Sequence, residues 1–468
     1  MVRGVAARRR DRASACRLRR SAGDSRDCRN AGRACVPHTS TCASEDDRGG
    51  FLTDFAGVTG LRRQLSLLGT APGFRLLFLS TLGSSLGTLL ATVALVVDIK
   101  DRTNSGSWVS VLLIVEFLPA VAVGLALGPL LDRISRRGLM IVSDLVRAGV
   151  FFTLPFANTA GQIVALAGIA GLATGFFRPA VYAGLPNLVD EHELARANSL
   201  IQTSENVSWT VAPIIGGALV AASGPHLAYW LNGASFLVSA LLLLRIPATK
   251  LQGALAVSRG HLRDLRDGFA RVIRTRPLLT VLVVWTIALG AVASTQTAQV
   301  FLAKDAFHAG DFGYGLIFGF IGLGLAIGSF GAGGWLERWP VGNVYSGSIL
   351  LQAVGVAAAA VAPNVWVSLP CFVLAGIGNG TAVVCNSLLV QRGAPDTIRG
   401  RVFTVIMSVN YAVYGLGFVV AGPLTDRVGP RWVFGGVGIV LAGTAVVAYA
   451  LARGAEQGLE RTAEAEAA

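Results

Sequence analysis

The sequence predicts an all-α integral membrane protein, with twelve transmembrane helices in two pseudo-symmetric six-helix bundles. Three observations predict it: an apolar composition, a regular succession of apolar segments, and an internal repeat. Of 468 residues, 53% are hydrophobic and 14% charged, and the mean hydropathy is +0.59. A water-soluble domain carries nearer a quarter charged residues. The 57 glycines suit close helix–helix contact in lipid. A net charge of +13 raises nucleic-acid binding as a possibility. Its distribution argues against that, because the cations sit in short runs between apolar segments, as topology signals do.

The apolar segments are 75–99, 108–131, 139–157, 161–182, 199–222, 226–246, 278–300, 310–333, 343–362, 366–389, 403–424 and 431–452. Each is close to the ~20 residues that cross ~30 Å of hydrocarbon. Helix is the only spanning form open to them, since lipid satisfies no free backbone group and a barrel strand would alternate in polarity. With the N-terminus inside, the inner regions after residue 75 hold nineteen Lys and Arg and the outer loops five. That excess places both termini in the cytoplasm of a cell-membrane protein.

The spans divide the chain into a tail (1–74), a first six-helix bundle (75–246), a basic cytoplasmic linker (247–277), a second bundle (278–452) and a short cytoplasmic tail (453–468). The first tail has no apolar run able to form a core or a cleavable leader. Its cysteines, Cys16, Cys28, Cys35 and Cys42, lack the paired spacing of zinc ligands. It reads as disorder, or as translation begun upstream of the native start, with Val58 an alternative start. Cys371 and Cys385 share one apolar span and read as packing residues.

The repeat is the most informative feature. A gapless shift of 205 residues lays Gly128-Pro-Leu-Leu-Asp132-Arg133 on Gly333-Gly-Trp-Leu-Glu337-Arg338. The same shift lays Gly171 on Gly376, Gly175 on Gly380, Arg196 on Arg401, Gly217 on Gly422 and Gly224-Pro225 on Gly429-Pro430. One offset serving sites a hundred residues apart implies duplicated halves, an architecture of transporters.

Gly128-Pro-Leu-Leu-Asp132-Arg133-Ile-Ser-Arg136-Arg137-Gly resembles the loop between helices 2 and 3 of the major facilitator superfamily, G-x-L-x-D-R-x-G-R-R, with Ser135 in place of the second Gly. The second copy is degenerate, and a third fragment, Gly422-Pro-Leu-Thr-Asp426-Arg427, follows span 11. Phe177-Arg-Pro179-Ala, Leu185-Pro186-Asn-Leu-Val and Leu194-Ala-Arg196-Ala-Asn198-Ser resemble its enterobactin-exporter and macrolide-efflux branch.

The resemblance implies the major facilitator fold and secondary active export of a drug-like or siderophore-like molecule by alternating access, in exchange for protons. An importer on the same fold is the alternative, and a non-transporting receptor or scaffold stands behind it. Gly128, Asp132, Arg133, Arg136 and Arg137, with Glu337 and Arg338 in the second copy, form a gating motif able to make an interdomain charge network. Ala212-Pro213-Ile-Ile-Gly216-Gly217 resembles the antiporter motif G-P-x-x-G-G, and reads equally as a kinked packing helix.

Ionisable residues inside spans are costly and usually functional. The coupling candidates are Glu205, Glu116, Asp144 and Arg147: Glu205 and Glu116 show no local partner and are the first-choice proton carriers, and Asp144, three residues from Arg147 and set to pair with it, is the reserve. The resemblance puts the cavity on helices 1, 4, 7 and 10, whose candidates include Ser84, Thr88, Phe177, Arg178, Trp285, Gln296, Asn379 and Asn386.

No cofactor, metal or nucleic-acid partner is expected; the partners are the substrate, protons and the bilayer, with the monomer favoured. An ATP-driven pump needs a GK[ST] phosphate loop, and none of Lys100, Lys250 and Lys304 follows Gly. A membrane metalloenzyme needs clustered ligands, whereas the histidines, His38, His192, His226, His261 and His308, fall in the tail, loops or span edges.

Overall fold

The computed structural model describes residues 66–126, 135–251, 269–394 and 396–467. Residues 1–65 of the expected tail, with its four cysteines and Val58, lie outside them, as do Gly128, Asp132 and Arg133. The end of that tail is corrected, because residues 66–70 are helical and Leu67 is buried in the first half's core. The described chain has no strands and twelve principal helices. The first six are α1 (Pro72–Thr103), α2 (Gly106–Ala126), α3 (Arg136–Thr153), α4 (Ala160–Gly184), α5 (Leu194–Ser223) and α6 (Pro225–Leu244). The second six are α7 (Arg276–Phe301), α8 (Gly310–Leu336), α9 (Val341–Val361), α10 (Val365–Gly393), α11 (Asp396–Val428) and α12 (Pro430–Ala467). Among the described residues, eleven helices are long and apolar enough to cross a membrane. For α2 the apolar stretch is Gly106–Pro119, the helix is described to Ala126, and residues 127–131 of its expected span lie outside the described residues. The last helix continues beyond its apolar part, Pro430–Ala452, through the segment expected to be a short tail.

The repeat is visible as repeated geometry. Gly224 and Gly429, one shift apart, both take positive φ, +73° and +81°, where an L side chain would be strained. Each is followed by a proline at the first position of a helix, α6 or α12, where the missing N–H breaks no hydrogen bond.

The core has two regimes. Where α1 ends and α2 begins, one apolar cluster takes residues from both halves, including Leu95, Val96, Phe236, Val300, Tyr314 and Phe434. Toward the opposite end this gives way to two separate clusters. One holds Phe74, Leu77, Met140, Phe177 and Leu243; the other holds Val281, Tyr345, Ile349, Leu389 and Ile406. We call these the closed and open ends. Around the outside, Phe330, Val361, Trp366, Trp432 and Ile439 are well exposed, as a lipid-facing surface requires and a water-facing one would not tolerate.

Candidate functional site

The closed end is sealed by two helix pairs related by the repeat. A Cβ built on Gly217 of α5 would lie 2.8 Å from the carbonyl oxygen of Asp311 at the start of α8. One built on Gly422 of α11 would lie 2.8 Å from the carbonyl oxygen of Gly106 at the start of α2. Gly217 and Gly422 are one repeat apart, and so are Gly106 and Asp311. Only glycine permits backbones this close. About three turns further along the same helix pair, Phe117 of α2 meets Tyr411 and Tyr414 of α11 edge-on, with centroids 5.2 Å apart in each pair.

Charge adds to the seal. Lys100, at the end of α1, bonds Asp305 at 2.6 Å. These two residues are separated by the repeat offset itself, 205, so they meet where the two halves' equivalent positions converge. Lys304 bonds Asp101 at 2.6 Å and Asp311 at 2.5 Å. Lys304 and Asp305 lie on a π-helical turn, Leu302–Ala306, continuing α7; such turns recur at functional sites. Asp426, from the third motif fragment, reaches across the halves to the start of α2. It accepts from the Gly106 and Ser107 amides at 2.5 and 3.1 Å and from the Ser107 hydroxyl at 2.8 Å. A carboxylate at a helix N-terminus satisfies otherwise free amides and suits the dipole.

Below the seal, toward the open end, a cavity of about 190 Å³ opens among the helices of the first half. The walls are Thr81, Ser84, Ser85 and Thr88 of α1, Arg147 of α3, Thr174, Phe177, Arg178 and Tyr182 of α4, and Glu205 and Trp209 of α5. Ser84, Thr88, Phe177 and Arg178 are where the sequence reading put them. Trp285, Gln296, Asn379 and Asn386 are not among the lining residues; all four are half-buried in the second half. The residues that line this cavity all belong to the first half, and one of them, Trp209, stacks on Phe318 of the second.

Glu205 is also corrected. Far from lacking a partner, it accepts from Nη2 of Arg178 with both oxygens at 3.0 Å. Arg178 keeps 61% of its side chain exposed, whereas Glu205 keeps 16%. The two lie 27 residues apart, on successive and therefore antiparallel helices. The sequence held the signal, two opposite intramembrane charges on neighbouring spans, but local spacing alone missed it. Glu116, by contrast, is half-buried on α2 with no hydrogen bond or ion pair among the described residues, and it lies off the cavity.

Asp144 and Arg147 pair on α3 as their spacing implies. The network extends further. Ser239 of α6 donates to Asp144 at 2.6 Å and stands 2.6 Å from Ser80 of α1, so Ser80 must be the donor to Ser239. The Arg147 guanidinium lies over Phe177 and Phe236, 4.4 and 4.2 Å from their centroids. Fully buried Asp144 thus has its hydrogen bonds met, and Arg147 presents a fixed cation to the cavity wall.

The gating residues that are described stay within their own half. Arg136 donates to the carbonyls of Ala183 and Leu251 at 2.8 and 3.3 Å, and Arg137 to that of Leu244 at 2.6 Å. These carbonyls lie at or just beyond helix C-termini, where a cation is favourable. Glu337 and Arg338 are exposed beyond α8. Among the described residues the ion pairs that join the halves lie at the closed end, while Asp132 and Arg133, the centre of the expected gating network, lie outside the described residues. Pro213 lies within continuous α5, and Gly216 and Gly217 pack on Leu90 of α1 and on α8. The antiporter-like motif thus sits where α1, α5 and α8 meet. Asp190, His192 and Glu193 bring ligand atoms within 4.8 Å of one another before α5, apart from the cavity.

The family sequence model described as Major Facilitator Superfamily matches residues 77–413 and, again, 294–467. The chain belongs to the Major Facilitator Superfamily. It is thus a multi-pass membrane protein of a transporter family and not an enzyme. Among its relatives is the "Multidrug efflux pump Tap" of Mycolicibacterium fortuitum, 27% identical over 81% of this chain and 95% of the relative. The pump of the same name from Mycobacterium tuberculosis H37Rv is 25% identical over 81% and 93%. "Macrolide efflux protein A" of Streptococcus pyogenes is 22% identical over 79% and 92%. Solved transporter structures share the fold. A POT family transporter in complex with 5-aminolevulinic acid superposes with TM-score 0.68 at 12% identity, covering 82% of this chain and 97% of that one. A bacterial ferroportin homologue in an inward-facing state superposes with TM-score 0.65 at 15% identity, covering 81% and 98%.

Proposed function

We propose that the protein exports amphipathic small molecules across the cell membrane by alternating access, in exchange for protons. The observation that carries this reading is the divided core: one cluster joins the halves at the closed end, and a separate cluster serves each half at the open end. That division is what rocking of two rigid bundles about a central cavity needs. The nineteen-to-five excess of Lys and Arg supports an orientation with the open end and both termini in the cytoplasm, in which the cavity faces the side from which an exporter loads. Efflux by the relatives supports the direction.

The cavity's chemistry supports the cargo class. Its wall is aromatic and hydroxylic, with a single partly exposed ion pair. At about 190 Å³ it holds the anchoring part of a drug-sized molecule, since whole-ligand pockets run to ~300–1,000 Å³. Glu205 is the proton carrier in this account. As a carboxylate it holds Arg178; protonated, it loses that charge-assisted pair and frees the guanidinium for the cargo's acceptor atoms. Accumulation of a fluorescent drug in cells with and without the protein, and with and without a protonophore, tests the reading. Lower accumulation that rises again with protonophore is expected. Higher accumulation in expressing cells would establish import, and export untouched by the protonophore would exclude proton coupling.

A further inference from the structure

Trp209 belongs to two structures at once. On α5 it lines the cavity, and 45% of it is exposed. The same indole stacks on Phe318 of α8, in the opposite half, with centroids 5.5 Å apart and planes 20° from parallel. Phe318 meets Tyr314 edge-on at 6.4 Å and 87°. Tyr314 is 2% exposed and is part of the apolar cluster that joins the halves at the closed end. The backbones touch at this level too, since a Cβ on Gly322 of α8 would lie 2.8 Å from the Trp209 carbonyl oxygen. No other cavity residue has a ring stacked across the halves in this way among the described residues.

We propose that Trp209 couples cargo binding to opening of the closed end, and that the cargo it reads carries a flat conjugated ring. Such a ring competes with Phe318 for the indole, replacing a cross-half stack with a cargo stack. The closed state loses that contact and the parted state does not, which is the differential interaction that moves a two-state equilibrium. An aromatic pair of this kind changes the ratio of the two states about 2- to 10-fold. The inference rests on the exporter reading and deepens it.

The test uses the full-length protein, with its native cysteines replaced and spin labels at 153 and 312. These are exposed positions on the closed-end turns of α3 and α8, one in each half. Distances are measured in nanodiscs against two lipophilic cations, flat ethidium and propeller-shaped tetraphenylphosphonium. In the otherwise unaltered protein, ethidium is expected to raise the long-distance population, and tetraphenylphosphonium to bind without doing so. Trp209→Leu should carry part of that population already without ligand, bind ethidium about 2- to 10-fold more weakly, and show no further shift at saturation. Phe318→Leu should behave likewise, and Trp209→Phe should keep the response. A full ethidium shift in Trp209→Leu or Phe318→Leu, or an equal shift with tetraphenylphosphonium, would overturn the coupling role while leaving the exporter reading intact. If the unaltered protein neither binds nor transports either compound, the exporter reading falls, and this proposal with it.

Discussion

At the scale of single residues, the ionisable groups within the first bundle divide by their partners. Asp144 and Arg147 hold each other in a satisfied network, so Asp144→Asn should leave Arg147 buried and uncompensated. Breaking one side of such a pair costs about 3–5 kcal/mol, and the thermal unfolding midpoint in detergent should fall accordingly; an unchanged midpoint would contradict this account of the network. Glu205 faces the cavity through Arg178. Glu205→Gln is expected to abolish pH-gradient-driven transport in proteoliposomes while exchange at equal pH persists. Glu116 has no hydrogen bond or ion pair among the described residues and lies off the cavity, so Glu116→Gln should be the milder of the two; the reverse order would move the proton site to α2. Residue identity made these charges visible in the sequence. Their partners were not, because Arg178 with Glu205 and Ser239 with Asp144 meet only through helix packing, 27 and 95 residues apart.

Helices and their contacts carry the conformational argument. The closed end depends on α1 with α7, α2 with α11 and α5 with α8, tied by Lys100–Asp305, by Asp101–Lys304, and by Asp426 at the start of α2. Lys100→Asp alone should part this end, and the exchange Lys100→Asp with Asp305→Lys should restore it. The measurement is labelling of a cysteine at Thr88, in the cavity, by an impermeant reagent applied from outside cells. Labelling that the single change leaves at background would remove the pair from the gate. Gly422→Val places a branched side chain where a Cβ would already stand 2.5 Å from the Ser107 Cα. Overpacking of this kind costs about 1–3 kcal/mol, and here the strain falls on the closed state, so the same labelling should rise. The 205-residue shift gave the matching glycines and the Gly-Pro turns by inspection. It also contained the Lys100–Asp305 relation, unrecognised because a residue and its repeat partner do not announce themselves as neighbours until the bundles face each other.

For the whole molecule, hydropathy and the repeat made the twelve helices legible, since a bilayer leaves the backbone few options. The conformation was not legible. Nothing in the chain says which end is shut, because the same residues serve both states of an alternating-access cycle, and a cavity lining drawn from four symmetric helices describes neither state alone. Trp285, Gln296, Asn379 and Asn386 lie outside the first-half cavity. The proposed orientation rests on the charge bias alone, and it predicts that a cysteine at 259 in the linker resists impermeant reagents outside intact cells. The most direct test of the account is uphill transport by the purified protein in proteoliposomes, with ethidium as probe and an imposed pH gradient. The account predicts that substrate concentrates in the compartment that is acidic at the start, and that the gradient collapses faster when substrate is present. Equilibration without concentration, or accumulation that survives a protonophore, would contradict it.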